Sequence, residues 1–142
     1  MTDNIIEQVA ETWNDGNLAL ADEFLAEDFV GHLMEDGREL TGPEGYKQWV
    51  KETHELFPDL ELTFDPVFAT DDVLCGRWRF TGTHRGAMPE YGIEPTGNSV
   101  EFSGLFIDRV EDGRVVEMWH LMDNLTLMQQ LGVIPQEAAG TA

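Results

Sequence analysis

The chain has 142 residues, 42% of them apolar, which suits one packed domain spanning residues 1–142. Its 28 acidic and 8 basic residues give a formal net charge of −20, which argues against nucleic acid or an anionic membrane surface as partner. The acids are scattered, with no acidic tail, as in halophilic proteins whose salt-rich surroundings screen self-repulsion. Cys75 stands alone, so an internal disulfide and a cysteine-rich zinc site are both ruled out. The acidic start Met1-Thr2-Asp3-Asn4 is unlike a signal peptide, and no apolar run has membrane-spanning length, so the expected location is cytoplasmic.

Ile5, Ile6, Val9, Ala10 and Trp13 recur at helical spacing, and Asp15-Gly16 closes that first helix. A second helix is expected over about Leu18 to Leu25, then a short strand, Phe29 to Leu33, ended by a turn at Glu35-Asp36-Gly37. Thr41-Gly42-Pro43-Glu44 reads as a capping box with Pro in the first turn. The helix it starts carries Tyr46, Trp49, Val50 and Phe57 as its apolar stripe, and Pro58 stops it. Leu60, Leu62 and Phe64 alternate with polar residues as in a half-buried strand. Long strands follow over Val73–His84, Asn98–Val110 and Arg114–Met122, with a Gly/Pro loop over 85–97 and a tight Asp112-Gly113 turn. Helices first, then an antiparallel meander, give an α+β fold whose curved sheet would leave a cavity against the helices.

The final strand delivers Trp119, His120 and Asp123 within five residues, a plausible place for proton transfer. A two-residue turn sets His120 opposite Leu105, on a face with Val116, Met118 and Met122, while Trp119 and Leu121 point away with Phe106. Both faces are apolar, and one β-bulge would exchange them. His120 is thus either a cavity base or a satisfied core histidine, and Asp123 either a cavity carboxylate or a helix N-cap. His120 and Asp123 are too few to argue for a metal. His84 ends a strand beside the Gly/Pro loop, where function concentrates. His32 is either cavity or rim, and His54 is expected at a solvated helix edge. Trp49, Trp78 and Phe57 are either cavity lining or aromatic core.

Several segments together resemble the SnoaL-like polyketide cyclase (ester cyclase) family: Gly82-Thr83-His84-Arg85-Gly86, Gly92-Ile93-Glu94-Pro95-Thr96-Gly97, Phe102-Ser103-Gly104 through Asp112-Gly113-Arg114, and Trp119-x-x-x-Asp123 with Gln129-Gln130-Leu131-Gly132. The resemblance implies a cystatin-like cone, like that of nuclear transport factor two, usually dimeric through the open sheet. It implies ring closure by intramolecular aldol condensation with no cofactor. Counted from Gly113, the cyclases' acid/base Asp falls at His120, and their pocket His and Gln fall at Phe106 and Gly104. His84 and Asp123 do match family positions.

These observations point to a cofactor-independent cyclase or isomerase acting by acid/base catalysis on a small hydrophobic carbonyl compound. His120 would be the base and Asp123 its partner, with His84, His32, Trp49, Trp78 and Phe57 against the substrate and no metal. The alternatives are a non-catalytic protein that binds an apolar ligand, and a purely structural dimerisation module. Large apolar residues on both phases of the long strands predict a homodimer formed through the sheet.

Overall fold

The computed structural model describes residues 2–135. Helix α1 (Thr2–Asp15) buries Ile5, Thr12 and Trp13. A 3-10 turn (Leu18–Leu20) and the single-turn helix α2 (Ala21–Phe24) follow, and β1 (Leu25–Leu33) begins at once. The helix expected through Leu25 therefore stops early, and the strand expected from Phe29 starts four residues sooner. Leu25 is buried and pairs with Val115, and these tertiary contacts outweigh the weak preference of so short a helix.

An additional strand, β2 (Arg38–Thr41), returns along β1 after the Glu35-Asp36-Gly37 turn. Helix α3 (Gly42–Leu56) has Pro43 in its first turn as expected, but the Thr41 hydroxyl makes no capping bond. The remaining strands are β3 (Glu61–Ala69), β4 (Val73–Thr83), β5 (Ser99–Glu111) and β6 (Arg114–Met122), and α4 (Asn124–Gln130) follows β6. The six strands form one curved, open sheet in the order β2-β1-β6-β5-β4-β3, with β1 and β6 parallel and every other pair antiparallel. This is the α+β fold expected from the sequence.

The core lies between the concave face of the sheet and the helices. Trp13 Nε1 donates to Tyr46 Oη at 2.8 Å, and the Trp49 ring meets Trp13 edge-on at 4.8 Å. The Asn14 amide pairs with both backbone groups of Leu62, pinning the end of α1 to β3. His54 is half-buried rather than at a solvated edge, because its Nε2 meets the Trp13 carbonyl at 2.7 Å. Burying a ring such as Phe24 or Phe29 contributes about 2–3 kcal/mol before entropy is counted.

The β5–β6 hairpin decides which side chains face the core. Glu111 pairs with Arg114, and both turn residues take positive φ, 52° at Asp112 and 77° at Gly113, as a twisted two-residue turn demands. The register then slips: Val110 pairs with Val115 but Arg109 with Glu117, so Val116 is an extra residue. That bulge reverses the expected phase. His120 lies opposite Phe106 rather than Leu105, and shares the concave face with Phe106, Asp108 and Met118. Leu105, Ile107 and Leu121 occupy the convex face, where with Phe68 they are 45–64% exposed. No helix among the described residues is long and apolar enough to cross a membrane.

Candidate active site

The concave face and the helices enclose a cavity of about 750 Å³. Its walls are mostly apolar, with Trp13, Tyr46 and Trp49 from the helices and Trp78, Phe102 and Phe106 from the sheet. Charged residues gather at one end: Arg38, Glu52, Glu55 and Glu90 also line it, and Arg38 pairs with Glu52 at 2.7 Å. Arg38, Glu55 and Glu90 are exposed, so the mouth opens between β2, α3 and the loop that carries the 3-10 turn Pro89–Tyr91.

His120 projects from β6 into this space, its side chain 11% exposed. Its ring stacks on Trp78, with centroids 5.1 Å apart and planes at 11°, and meets Trp49 edge-on at 4.9 Å. The two indoles fix the imidazole plane. Nδ1 lies 3.5 Å from Oε1 of Glu35, too long for a good hydrogen bond but a close charge contact, as is common before a ligand tightens a site. The same oxygen accepts the Met122 backbone N–H at 3.2 Å, which holds the carboxylate in place. Burial pushes the Glu35 carboxyl up, but the contact with His120 and the backbone N–H groups of Glu35 and Met122 outweigh it, and the net shift is downward. Glu35 is therefore ionised at neutral pH. Nδ1 is sealed from solvent with no hydrogen bond among the described residues, so the Glu35 carboxylate beside it favours the tautomer with hydrogen there and leaves the Nε2 lone pair for the cavity.

A further polar group in the wall is Asp108, 6% exposed, on the same face of β5 as Phe106. No hydrogen bond reaches either of its oxygens among the described residues, and Oδ1 is sealed from solvent. Burial pushes its carboxyl from the ordinary 3.8 up to about 8. The folded state thus holds this proton more tightly than the unfolded chain does. The resulting contribution to stability is complete below pH 3.8 and is lost as pH rises through about 8. Tyr46 is driven the same way, chiefly by burial, and its hydroxyl accepts the Trp13 N–H.

The other residues singled out in the sequence divide between cavity and elsewhere. Trp49, Trp78 and Phe57 line the cavity. Asp123 does not: its carboxylate caps α4, accepting from Thr126 N–H at 3.1 Å and from the Thr126 hydroxyl at 2.6 Å. Glu35 stands where Asp123 was expected, beside the imidazole. His84 is fully buried outside the cavity lining, with Nδ1 accepting the Thr96 backbone N–H at 3.1 Å, so it fastens the 85–97 loop instead of meeting a ligand. His32 is on the convex side, stacked on Trp119 and paired with Glu117 at 2.7 Å and Glu39 at 3.3 Å. That contact, with Arg109, holds the Glu117 carboxyl below its usual range. Among the described residues no cluster of three or more His, Cys, Asp or Glu side chains could hold a metal ion.

Glu35 and Asp108 are the site residues that reading the sequence missed. Asp108 did leave a signal, as the lone acid in phase with Phe102, Phe106 and Val110 on one strand face. Glu35 left none, because it sits in an ordinary Glu-Asp-Gly turn.

A cone of curved sheet and helices around a largely apolar cavity defines a protein of the nuclear-transport-factor-two-like α+β class. The model of the SnoaL-like polyketide cyclases matches residues 3–131, and the chain belongs to that family. Among solved structures it is similar to wild-type IdmH from Streptomyces antibioticus, provisionally described as a polyketide cyclase, at 33% identity and a TM-score of 0.79 over 92% of this chain and 98% of that one. TsrD from Streptomyces laurentii is 26% identical, with a TM-score of 0.83 over 94% and 96% of the two chains. AclR from Streptomyces galilaeus, provisionally described as a hydroxylase, is 25% identical, with a TM-score of 0.80 over 98% and 89%. A search of curated proteins finds no match.

Proposed function

We propose that the protein is a cofactor-independent cyclase or isomerase that removes a proton next to the carbonyl of a small hydrophobic substrate. The single observation that carries this reading is His120, whose ring is clamped by Trp78 and Trp49 inside an apolar cavity with Glu35 at Nδ1. His120 Nε2 takes the proton, and Glu35 orients the ring and offsets the charge it gains. The resulting carbanion attacks a second carbonyl of the same molecule to close a ring, or is reprotonated elsewhere to shift a double bond. The description of IdmH as a polyketide cyclase agrees with the first outcome.

The test needs no knowledge of the natural substrate. A hydrophobic ketone such as 2-tetralone is incubated with the protein in D2O, and deuterium uptake beside the carbonyl is followed by NMR. Uptake well above the buffer rate, abolished by His120→Gln, is the expected result. Tight binding of the ketone with no added exchange would instead indicate a ligand-binding protein.

Two further features accompany this reading. The convex face exposes Phe68, Leu105, Ile107 and Leu121 together, more apolar surface than a soluble monomer commonly leaves uncovered. A homodimer through this face would bury it, with Glu39 and Glu117 towards its edge. Sedimentation in molar salt is expected to give twice the chain mass of 16.0 kDa, and Ile107→Glu is expected to return it to a single chain mass. The net charge of −20 fits a halophilic protein. Self-repulsion acts over about 30 Å at 10 mM salt but only about 3 Å at 1 M. The melting temperature is therefore expected to rise by several degrees between those limits, and a flat response would refute the assignment.

A further inference from the structure

Asp108 is a buried acid that meets no cation and no hydrogen-bond donor within bonding distance among the described residues. It is 6% exposed, lines the cavity, and makes no hydrogen bond or ion pair among the described residues. The titratable groups that share its surroundings are Tyr46 from α3 and His120 from β6, with Glu35 beyond the imidazole. A polar group left unsatisfied in an apolar wall costs stability, and apolar residues of similar size would have avoided that cost. Its place on the ladder gives it a use. His120 pairs with Phe106 and Asp108 with Met118, so the two side chains are diagonal neighbours on one face, roughly 7–8 Å apart at their bases. Both side chains therefore project from neighbouring places on one face into the same cavity.

We propose that Asp108 is a second catalytic residue, whose carboxyl O–H donates to the carbonyl oxygen of the molecule that His120 deprotonates. The inference rests on the reading of His120 as base. As the proton passes to His120 Nε2, the C–H electron pair becomes the new C=C bond and the carbonyl π pair moves onto oxygen. Asp108 holds that oxygen by its O–H. Return of the proton from the imidazolium to carbon completes an exchange; in ring closure the enolate carbon bonds to a second carbonyl carbon, whose π pair moves onto its oxygen and takes the proton back from the imidazolium, so nothing else is consumed. The upward displacement of the Asp108 carboxyl, to about 8, keeps the donor hydrogen in place at neutral pH. A donor already aimed at developing charge in a dry site accelerates such a step by about 10²–10³-fold.

Two measurements test the role. Infrared spectra in D2O at neutral pH are expected to show one protonated carboxyl band that is absent from Asp108→Asn and that fades as pH rises past 8. Binding of 2-naphthol, an enolate mimic, and of naphthalene is then followed by fluorescence. Asp108→Leu is expected to weaken 2-naphthol about ten-fold, the worth of one hydrogen bond, and to leave naphthalene unchanged. Asp108→Asn retains a donor, so its affinity is expected to stay within about three-fold of the wild type and to lose the decline above pH 8. Equal affinity of Asp108→Leu and wild type for 2-naphthol overturns the proposal, as does a cavity that takes neither probe or an unchanged infrared spectrum in Asp108→Asn. Deuterium exchange separates this failure from that of the parent reading. Exchange that survives Asp108→Leu but not His120→Gln removes the donor and keeps the base.

Discussion

His120→Gln is expected to slow proton exchange from a carbonyl probe by about 10²–10⁴-fold, or roughly 3–5 kcal/mol in barrier, while the protein remains folded. Gln approximates the volume of the imidazole and can still reach the Glu35 carboxylate, so the wall between Trp78 and Trp49 stays filled. What it lacks is a basic lone pair. The loss should therefore appear in kcat with KM little changed, the signature of an interaction made in the transition state. Glu35→Gln should cost less, about ten-fold, because the base survives but loses its tautomer bias. Glu35→Asp should restore part of that loss. Equal rates for wild type and His120→Gln, measured above the buffer exchange, would dismiss the imidazole as base.

The start of α3 at Pro43, the β-meander and the Asp112-Gly113 turn could be read from the sequence because each depends on local chemistry. Left-handed φ values at two successive residues, for instance, are what an Asp-Gly pair supplies. The facing of His120 could not be read in the same way. Val115 and Val116 are both apolar, and nothing local says that one of them is an extra residue in β6. Only the finished ladder, with Val110 on Val115 and Arg109 on Glu117, shows it. Glu35 was hidden for a different reason. It reaches His120 because β1 lies parallel to β6, with Leu33 opposite His120, and that contact links residues 85 positions apart. Asp123 showed the converse. Its carboxylate had a local partner three residues on, and the helix cap prevailed over the cavity. His84 likewise found Thr96 across its own loop.

The largest effect on stability is expected from Gly104→Ala. Gly104 lies opposite Trp78 on the concave face, and the indole lies directly over it before stacking on His120. A Cβ at Gly104 would collide with the Trp78 ring and with the Leu121 carbonyl. Neither can yield cheaply. The ring is held between Phe102, edge-on at 5.7 Å, and the imidazole, while the carbonyl belongs to the β6 backbone. Overpacking of this kind costs about 3 kcal/mol, which for a chain of this length lowers the melting temperature by roughly 10 °C. The family resemblance put a pocket Gln of the cyclases at Gly104. Here the missing side chain makes room for Trp78, and the same indole then sets the plane of the His120 ring. Gly104→Ala should therefore also impair proton exchange at temperatures where the variant is still folded. Trp78→Phe in the Gly104→Ala background, which shortens the ring that collides, should recover part of the lost stability. A Gly104→Ala protein that melts with the wild type would show that Trp78 does not need the space above Gly104, and the link between that glycine and the orientation of His120 would fall with it.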